Sequence, residues 1–430
     1  MLVADLLGAL ERRARGVPLS DSEALAMGER ADGLETAIRA AAAAARNATF
    51  GSEITYSPKV FLPLTNLCRN HCDYCSFRRS PGDPGEWTMT PAQIEDQIRR
   101  ARELGCAEAL FCLGDKPEKA FRAYRRDLAL LGLESTVDYL YRSAEVALAH
   151  GLLAHTNAGL MTAGEMARLK EVNVSLGLML ECVSPRLCEP GMPHHKAPDK
   201  RPEKRLAMIE AAGQLRIPFT TGILVGIGET RRERIESLLA IRHLSRKFGH
   251  IQEVIVQNFR AAPGVPMQHA PEPDENEVTL SIAMTRLIMD SDVSVQAPPN
   301  LSPGATDALL ASGLNDFGGI SPVTPDYINP GHPWPHVSAL RDACARAGFV
   351  LRPRASIYDH FVARTGFLDP RLLPRTRDVQ ARLDRTSPAP PERGRNDERT
   401  SPAAPERGRN DERTSPAAPE RGRKPGAAVA

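Results

Sequence analysis

The sequence predicts an α/β fold: a (β/α)8 barrel of parallel strands, preceded by a helical segment and followed by a disordered repeat tail. Three observations predict it. Short apolar segments alternate with amphipathic helical stretches from Lys59 to about residue 352, and such alternation implies a parallel sheet. Eight of the segments have strand character, which is the count of a closed barrel. The two long apolar ones, Val60–Leu64 and Thr220–Gly226, lack period-two alternation, as strands covered on both faces do.

Residues 1–52 read as helices. Ser20 or Asp21 can cap a segment starting at Ser22, and the Ala-rich run Glu35–Ala45 has high helix propensity. The expected barrel spans residues 53–370. Its strands are Val60–Leu64, Ala109–Leu113, Leu152–His155, Ser175–Leu180, Thr220–Gly226, Glu253–Asn258, Val293–Ala297 and a weak one near Asp316–Gly318. Helical stretches separate them, among them Pro91–Leu104, where Thr90-Pro91 provides an N-cap and a first-turn proline. Residues 371–430 read as a linker and a low-complexity tail. Arg-Thr-Ser-Pro-Ala recurs at Arg385, Arg399 and Arg413, a 14-residue period. A repeat without large apolar side chains cannot bury a face, so the tail is expected to be disordered.

The chain of 430 residues is 42% hydrophobic, enough for a large core. Its 55 basic and 53 acidic side chains nearly cancel, which argues against nucleic acid as a partner. Neither Ala40–Ala45 nor Phe219–Ile227 approaches the ~20 apolar residues of a spanning helix, so no membrane is expected. Residues 1–15 lack the apolar core of a secretion signal. Eight cysteines are too sparse for a disulfide scaffold, and a reducing cytoplasm fits best.

Three of those cysteines, Cys68, Cys72 and Cys75, lie within eight residues just after the first strand, in the spacing C-x3-C-x2-C. A parallel barrel carries its chemistry at that end of its strands. Three thiolates can bind three irons of a cubane and leave the fourth open, whereas structural zinc takes four closed ligands. No fourth cysteine is near, and His71 adjoins Cys72 too closely to converge on the same ion. The other cysteines, Cys106, Cys112, Cys182, Cys188 and Cys344, share no ligand spacing and read as packing residues. His194-His195-Lys196 reads as an ordinary connecting loop.

The cysteine spacing, with Tyr74 before the third cysteine, is similar to the motif of the radical S-adenosylmethionine superfamily. That resemblance implies a [4Fe-4S] cluster, S-adenosylmethionine as cofactor and formation of a deoxyadenosyl radical. Gly114-Asp115-Lys116-Pro117 stands where the superfamily has a Gly-Gly-Glu-Pro-like stretch that binds the amino group of the cofactor. Gly222-Ile-Leu-Val-Gly226 resembles its Gly-x-Ile-x-Gly element beside the adenine. Asn157 and Glu181, at strand ends, are candidates for the cofactor ribose. Gln257, Asn258, Gln296 and Asn300 are candidates for substrate hydrogen bonds, and His155 and Thr156 could also line the mouth.

A narrower resemblance rests on Phe61-Leu-Pro-Leu-Thr-Asn-Leu-Cys68, Glu108 to Pro117, Ile217 to Thr230, His250 to Arg260, Gln296-Ala-Pro-Pro-Asn-Leu301 and Gly318 to Asp326. These strings resemble the first-subunit family of FO synthase. The resemblance implies closure of a deazaflavin ring from a tyrosine–ribitylaminouracil adduct with loss of ammonia, in biosynthesis of coenzyme F-420. It also implies an external one-electron reductant and a second FO synthase subunit as functional partner. Other enzymes of the superfamily, namely the tyrosine-using second subunit or a menaquinone-pathway homologue, are the alternatives, and beyond them a non-catalytic metal protein.

Overall fold

The computed structural model describes residues 2–387. Eight parallel strands close a barrel: β1 (Glu53–Phe61), β2 (Glu108–Cys112), β3 (Leu153–Asn157), β4 (Ser175–Gly177), β5 (Phe219–Val225), β6 (Ile251–Asn258), β7 (Ser294–Gln296) and β8 (Asp316–Ile320). Each pairs with the next, and β1 pairs with both β2 and β8. All seven residues of β5 are buried, the result of helices outside and side chains within the barrel. The expected strands are present, with shifted ends.

β1 begins seven residues before the expected Val60. A ninth strand, β9 (Val350–Pro353), pairs in parallel with its first half, Glu53↔Val350 to Tyr56↔Pro353. The second half belongs to the barrel, and a register shift between Thr55 and Ser57 separates the two duties. Ser57 and Lys59 hid this strand from hydropathy: both face the barrel interior, where an apolar period is not required.

The N-terminal helices Val3–Ala14, Asp21–Glu29 and Glu35–Phe50 pack onto the barrel's outer helices. Ser20 is the N-cap of the second, in a capping box with Glu23. Buried Ala41, Ala42 and Ala45 let the third lie close to the helix Glu275–Ile288. Buried arginines complete the seam by capping orphan carbonyls. Arg13 donates to the carbonyls of Arg286, Leu287 and Met289, and Arg46 to those of Leu310 and Leu314.

The linker expected from residue 371 is instead a helix, Leu373–Thr386, with Thr376, Val379 and Leu383 buried. Arg382 ties it to the carbonyls of Cys106 and Gly151, at the entries to β2 and β3. Its charged residues face outward and leave a narrow apolar stripe, a weak signal in a composition-based reading. The repeat tail from Pro388 onward lies outside the described residues. Among the described residues no helix is long and apolar enough to cross a membrane.

Candidate active site

The cysteine loop follows β1 and is held rigidly. Asn66 bridges it, donating to the Gly85 carbonyl at 2.8 Å and accepting from the Trp87 N–H at 2.9 Å. Across the mouth, the segment 193–199 clamps it: His71 and Asp73 donate their N–H groups to the carbonyls of Lys196 and Pro193, Arg69 pairs with Asp199, and the Asp199 N–H donates to Asn70. Tyr74 Oη lies 3.0 Å from His194 Nε2. The histidine-bearing loop, read from sequence as incidental, is therefore the brace of the cysteine loop.

The three thiols face a cavity of about 310 Å³ that runs down the barrel axis. Cys68 Sγ accepts from the backbone N–H of Asp115 at 3.1 Å and of Asn70 at 3.4 Å, the arrangement that stabilises a cluster-bound thiolate. Gly114 makes this approach possible, because a Cβ there would lie 2.4 Å from Cys68 Cβ and 2.8 Å from its sulfur. Burial drives the thiols of Cys68 and Cys72 up to about 11 and about 12, so it is iron coordination that would hold them as thiolates. Among the described residues no three ligands gather around a single-ion position.

Tyr74, Gly114, Asp115, Asn157 and Glu181 all line the same cavity. Asp115 is buried, accepts the Leu160 N–H at 3.2 Å, and has its carboxyl raised to about 6 by burial and by Asp199. Glu181 takes a left-handed backbone, φ +65°, a strain that marks functional positions. Burial opposes its ionisation, but Lys200 at 2.5 Å and Arg205 at 3.9 Å outweigh it and keep its pKa low. Gly226 lies just beyond Leu224, which lines the cavity. Its φ of +96° and a Pro273 Cδ that would sit 2.6 Å from a Cβ account for the glycine.

Gln257, Gln296 and His155 line the cavity as well, while Thr156, Asn258 and Asn300 do not. Thr156 bonds Asn173, Asn258 donates to the Leu301 carbonyl, and Asn300 holds Asp326 and the His332 carbonyl. Cys112, read as packing, faces the cavity; Cys182 packs in a satellite apolar cluster.

Polar residues missed in the sequence line the lower cavity: Lys59, Glu108, Gln252, Glu253 and Arg354, and Lys200 and Arg205 stand near its mouth. The signal available was phase. Ser57, Lys59 and Phe61 alternate, as do Glu108, Leu110 and Cys112, and these inward sets interrupt apolar strands with charge. Arg354 closes the base, donating to Asp316 at 2.5 and 2.9 Å and to Glu253 at 2.7 Å. Burial raises Glu253 to about 7 despite Arg354.

Residues 62–241 match the Radical SAM superfamily. The chain is 45% identical over 333 residues to the 7,8-didemethyl-8-hydroxy-5-deazariboflavin synthase of Methanothermobacter thermautotrophicus, covering 77% of this chain and all of that one. It is 44% identical over 372 residues to the FO synthase of Streptomyces avermitilis, covering 85% of this chain but 42% of that longer protein. Among solved structures, the [FeFe]-hydrogenase maturase HydG of Carboxydothermus hydrogenoformans shares the fold with a TM-score of 0.65 at 18% identity, covering 90% of this chain and 91% of that one. Methylornithine synthase does so with a TM-score of 0.61 at 18% identity, over 79% and 96% of the two chains. The cofactors of this superfamily are a [4Fe-4S] cluster and S-adenosylmethionine, and the three-thiol cavity fits them. By its likeness over the whole length of the Methanothermobacter synthase, the chain belongs to the 7,8-didemethyl-8-hydroxy-5-deazariboflavin synthase family of radical S-adenosylmethionine enzymes.

Proposed function

We propose that this chain forms the deazaflavin FO from 5-amino-5-(4-hydroxybenzyl)-6-(D-ribitylimino)-5,6-dihydrouracil, releasing ammonia, 5'-deoxyadenosine and methionine, as a carbon–nitrogen lyase. The observation that carries this reading is the full-length likeness to a synthase of that name, joined to a three-cysteine mouth above a polar axial cavity. Cys68, Cys72 and Cys75 would hold the cluster, which would supply the one-electron chemistry that makes a radical able to take hydrogen from an unacidic C–H.

This chain's residues do the rest. Asp115 receives the cofactor ammonium, and Asn157 and Glu181 receive its ribose, with Gly114 and Tyr74 shaping the seat. Lower in the barrel, Gln257, Gln296, Gln252 and His155 offer the mixed donors and acceptors that a uracil edge and ribityl hydroxyls need. The barrel wall excludes water from the reacting carbon. An external reductant supplies the electron. The second FO synthase subunit supplies the adduct, in the cytoplasm, a partnership supported by the longer FO synthases of which this chain spans 42%. Residues 53–386 and the N-terminal helices together form the catalytic unit.

The test is anaerobic incubation of reconstituted protein with S-adenosylmethionine, dithionite and the adduct, with Cys72→Ala as control. Deazaflavin fluorescence and 5'-deoxyadenosine are expected from wild type, and neither from the variant. 5'-Deoxyadenosine without fluorescence would refute the substrate. Co-purification of separately tagged subunits tests the partnership.

A further inference from the structure

Lys59 stands apart from every other cation lining the cavity. Its side chain is 7% exposed, points inward from β1 and makes no ion pair or hydrogen bond among the described residues. Its Nζ lies 4.8 Å from the Trp334 ring centroid and 5.5 Å from that of Phe61. The nearest carboxylates act on it by charge and not by hydrogen bond: Glu108 accepts from Ser57 through one oxygen, and Asp326 accepts from Asn300 and from the N–H groups of Ile328 and Asn329. Lys200 is bound to Glu181, and Arg354 to Asp316 and Glu253. Its Nζ opens onto the cavity, so the acceptors it does not find in the protein come from whatever fills that space.

We propose that Lys59 is a catalytic residue, the proton donor to the amine that leaves as ammonia when the deazaflavin ring closes. The inference rests on the reaction proposed above and deepens it. An amide ion is too basic to depart unprotonated, so the C–N bond needs an acid at nitrogen as it breaks. The Lys59 Nζ–H gives its proton to that nitrogen, and the C–N bonding pair leaves with it as ammonia. The ring carbon newly bonded to the ribityl nitrogen loses its own proton to the neutral Lys59 amine. That C–H pair, shifted through the ring, becomes the double bond where nitrogen departed. The substrate loses NH3, Lys59 ends protonated as it began, and no electron is gained or lost in the step. Burial lowers the Lys59 pKa while Glu108 and Asp326 oppose the fall, which suits an ammonium that must release and regain a proton. The rings of Trp334 and Phe61 hold the cation without accepting its protons.

The experiment compares wild type, Lys59→Met, Lys59→Arg and Lys59→Ala, each checked for iron content and far-UV circular dichroism, with the adduct as substrate. For Lys59→Met, 5'-deoxyadenosine should persist near the wild-type level while FO and ammonia fall by about 100-fold, the usual worth of a positioned acid. A product that retains the amine should accumulate, visible by mass spectrometry. Lys59→Arg keeps the charge but yields no proton at neutral pH, so it should show the same split; it also decides the matter if Lys59→Met does not fold. In Lys59→Ala, added ethylamine should restore part of the FO. Variants in which FO and ammonia stay in step with 5'-deoxyadenosine overturn the assignment, as does Lys59→Arg with wild-type FO. Wild type that makes 5'-deoxyadenosine but no FO overturns the substrate reading, and this one with it.

Discussion

At the scale of single residues, the site depends on close approaches and on protonation states. Gly114→Ala should push Cys68 off its backbone donors and lower cluster affinity by roughly tenfold or more, seen as lost iron and sulfide per chain with unchanged circular dichroism. His155 sets a pH dependence. Ser175 Oγ lies 2.6 Å from both His155 Nδ1 and the Ser356 carbonyl. The serine has one proton, spent on the carbonyl, so Nδ1–H is the donor to Ser175. Burial first, with Arg354 and Lys59 adding and Glu108 opposing, lowers the imidazole from 6.5 to about 4. Between these values the unfolded chain binds a proton that the folded chain refuses. Stability therefore falls as pH drops through that window, by up to about 3 kcal/mol. Glu253, raised to about 7, has the opposite slope, so the His155 contribution is isolated by difference. Urea unfolding of wild type and His155→Gln across this range should show a shallower acid loss in the variant; parallel curves would refute it.

At the scale of elements, two pieces behave differently from their sequence appearance. The helix Leu373–Thr386 is part of the fold because Val379 and Leu383 reach the core and Arg382 caps two loop carbonyls. Leu383→Ala should cost about 2–3 kcal/mol in urea unfolding and leave iron content unchanged. A change below about 0.5 kcal/mol would mean that the helix adds little to the folded unit. The sequence signal here was faint, since a two-residue apolar stripe among many charges resembles a solvated linker. β9 was missed for another reason: Val350-Leu-Arg-Pro353 is four residues long, and only its pairing with Glu53–Tyr56 makes it a strand.

For the molecule as a whole, the barrel is a tube whose upper end holds the cluster ligands and whose lower end is shut by ion pairs. Arg354, Asp316, Glu253 and Tyr358 form that stopper, with Tyr358 Oη 3.2 Å from Glu253 and 3.1 Å from Asp316. Arg354→Met strips two buried carboxylates of their cation and should destabilise the fold by about 3–5 kcal/mol. The loss should appear in the unfolding midpoint at neutral pH and lessen on acidification, as Glu253 takes up a proton. A loss independent of pH would assign the effect to packing instead.

The cluster motif and the barrel were readable in the chain because both are local in their causes. Three ligands within eight residues define their own chemistry, and each strand–helix unit shows its own apolar rhythm. The cavity below was not readable in this way. Its interior draws residues from seven of the eight strands, so Lys59, Glu108 and Glu253 acquire meaning only once register aims them at a shared space. Lys200, Arg205 and Arg354 come from loops and a helix far along the chain, and which charge neutralises which is fixed by packing. Gly226 shows the converse: its place in a motif is visible in the chain, but the turn and the close approach of Pro273 that require a glycine there are visible only in three dimensions.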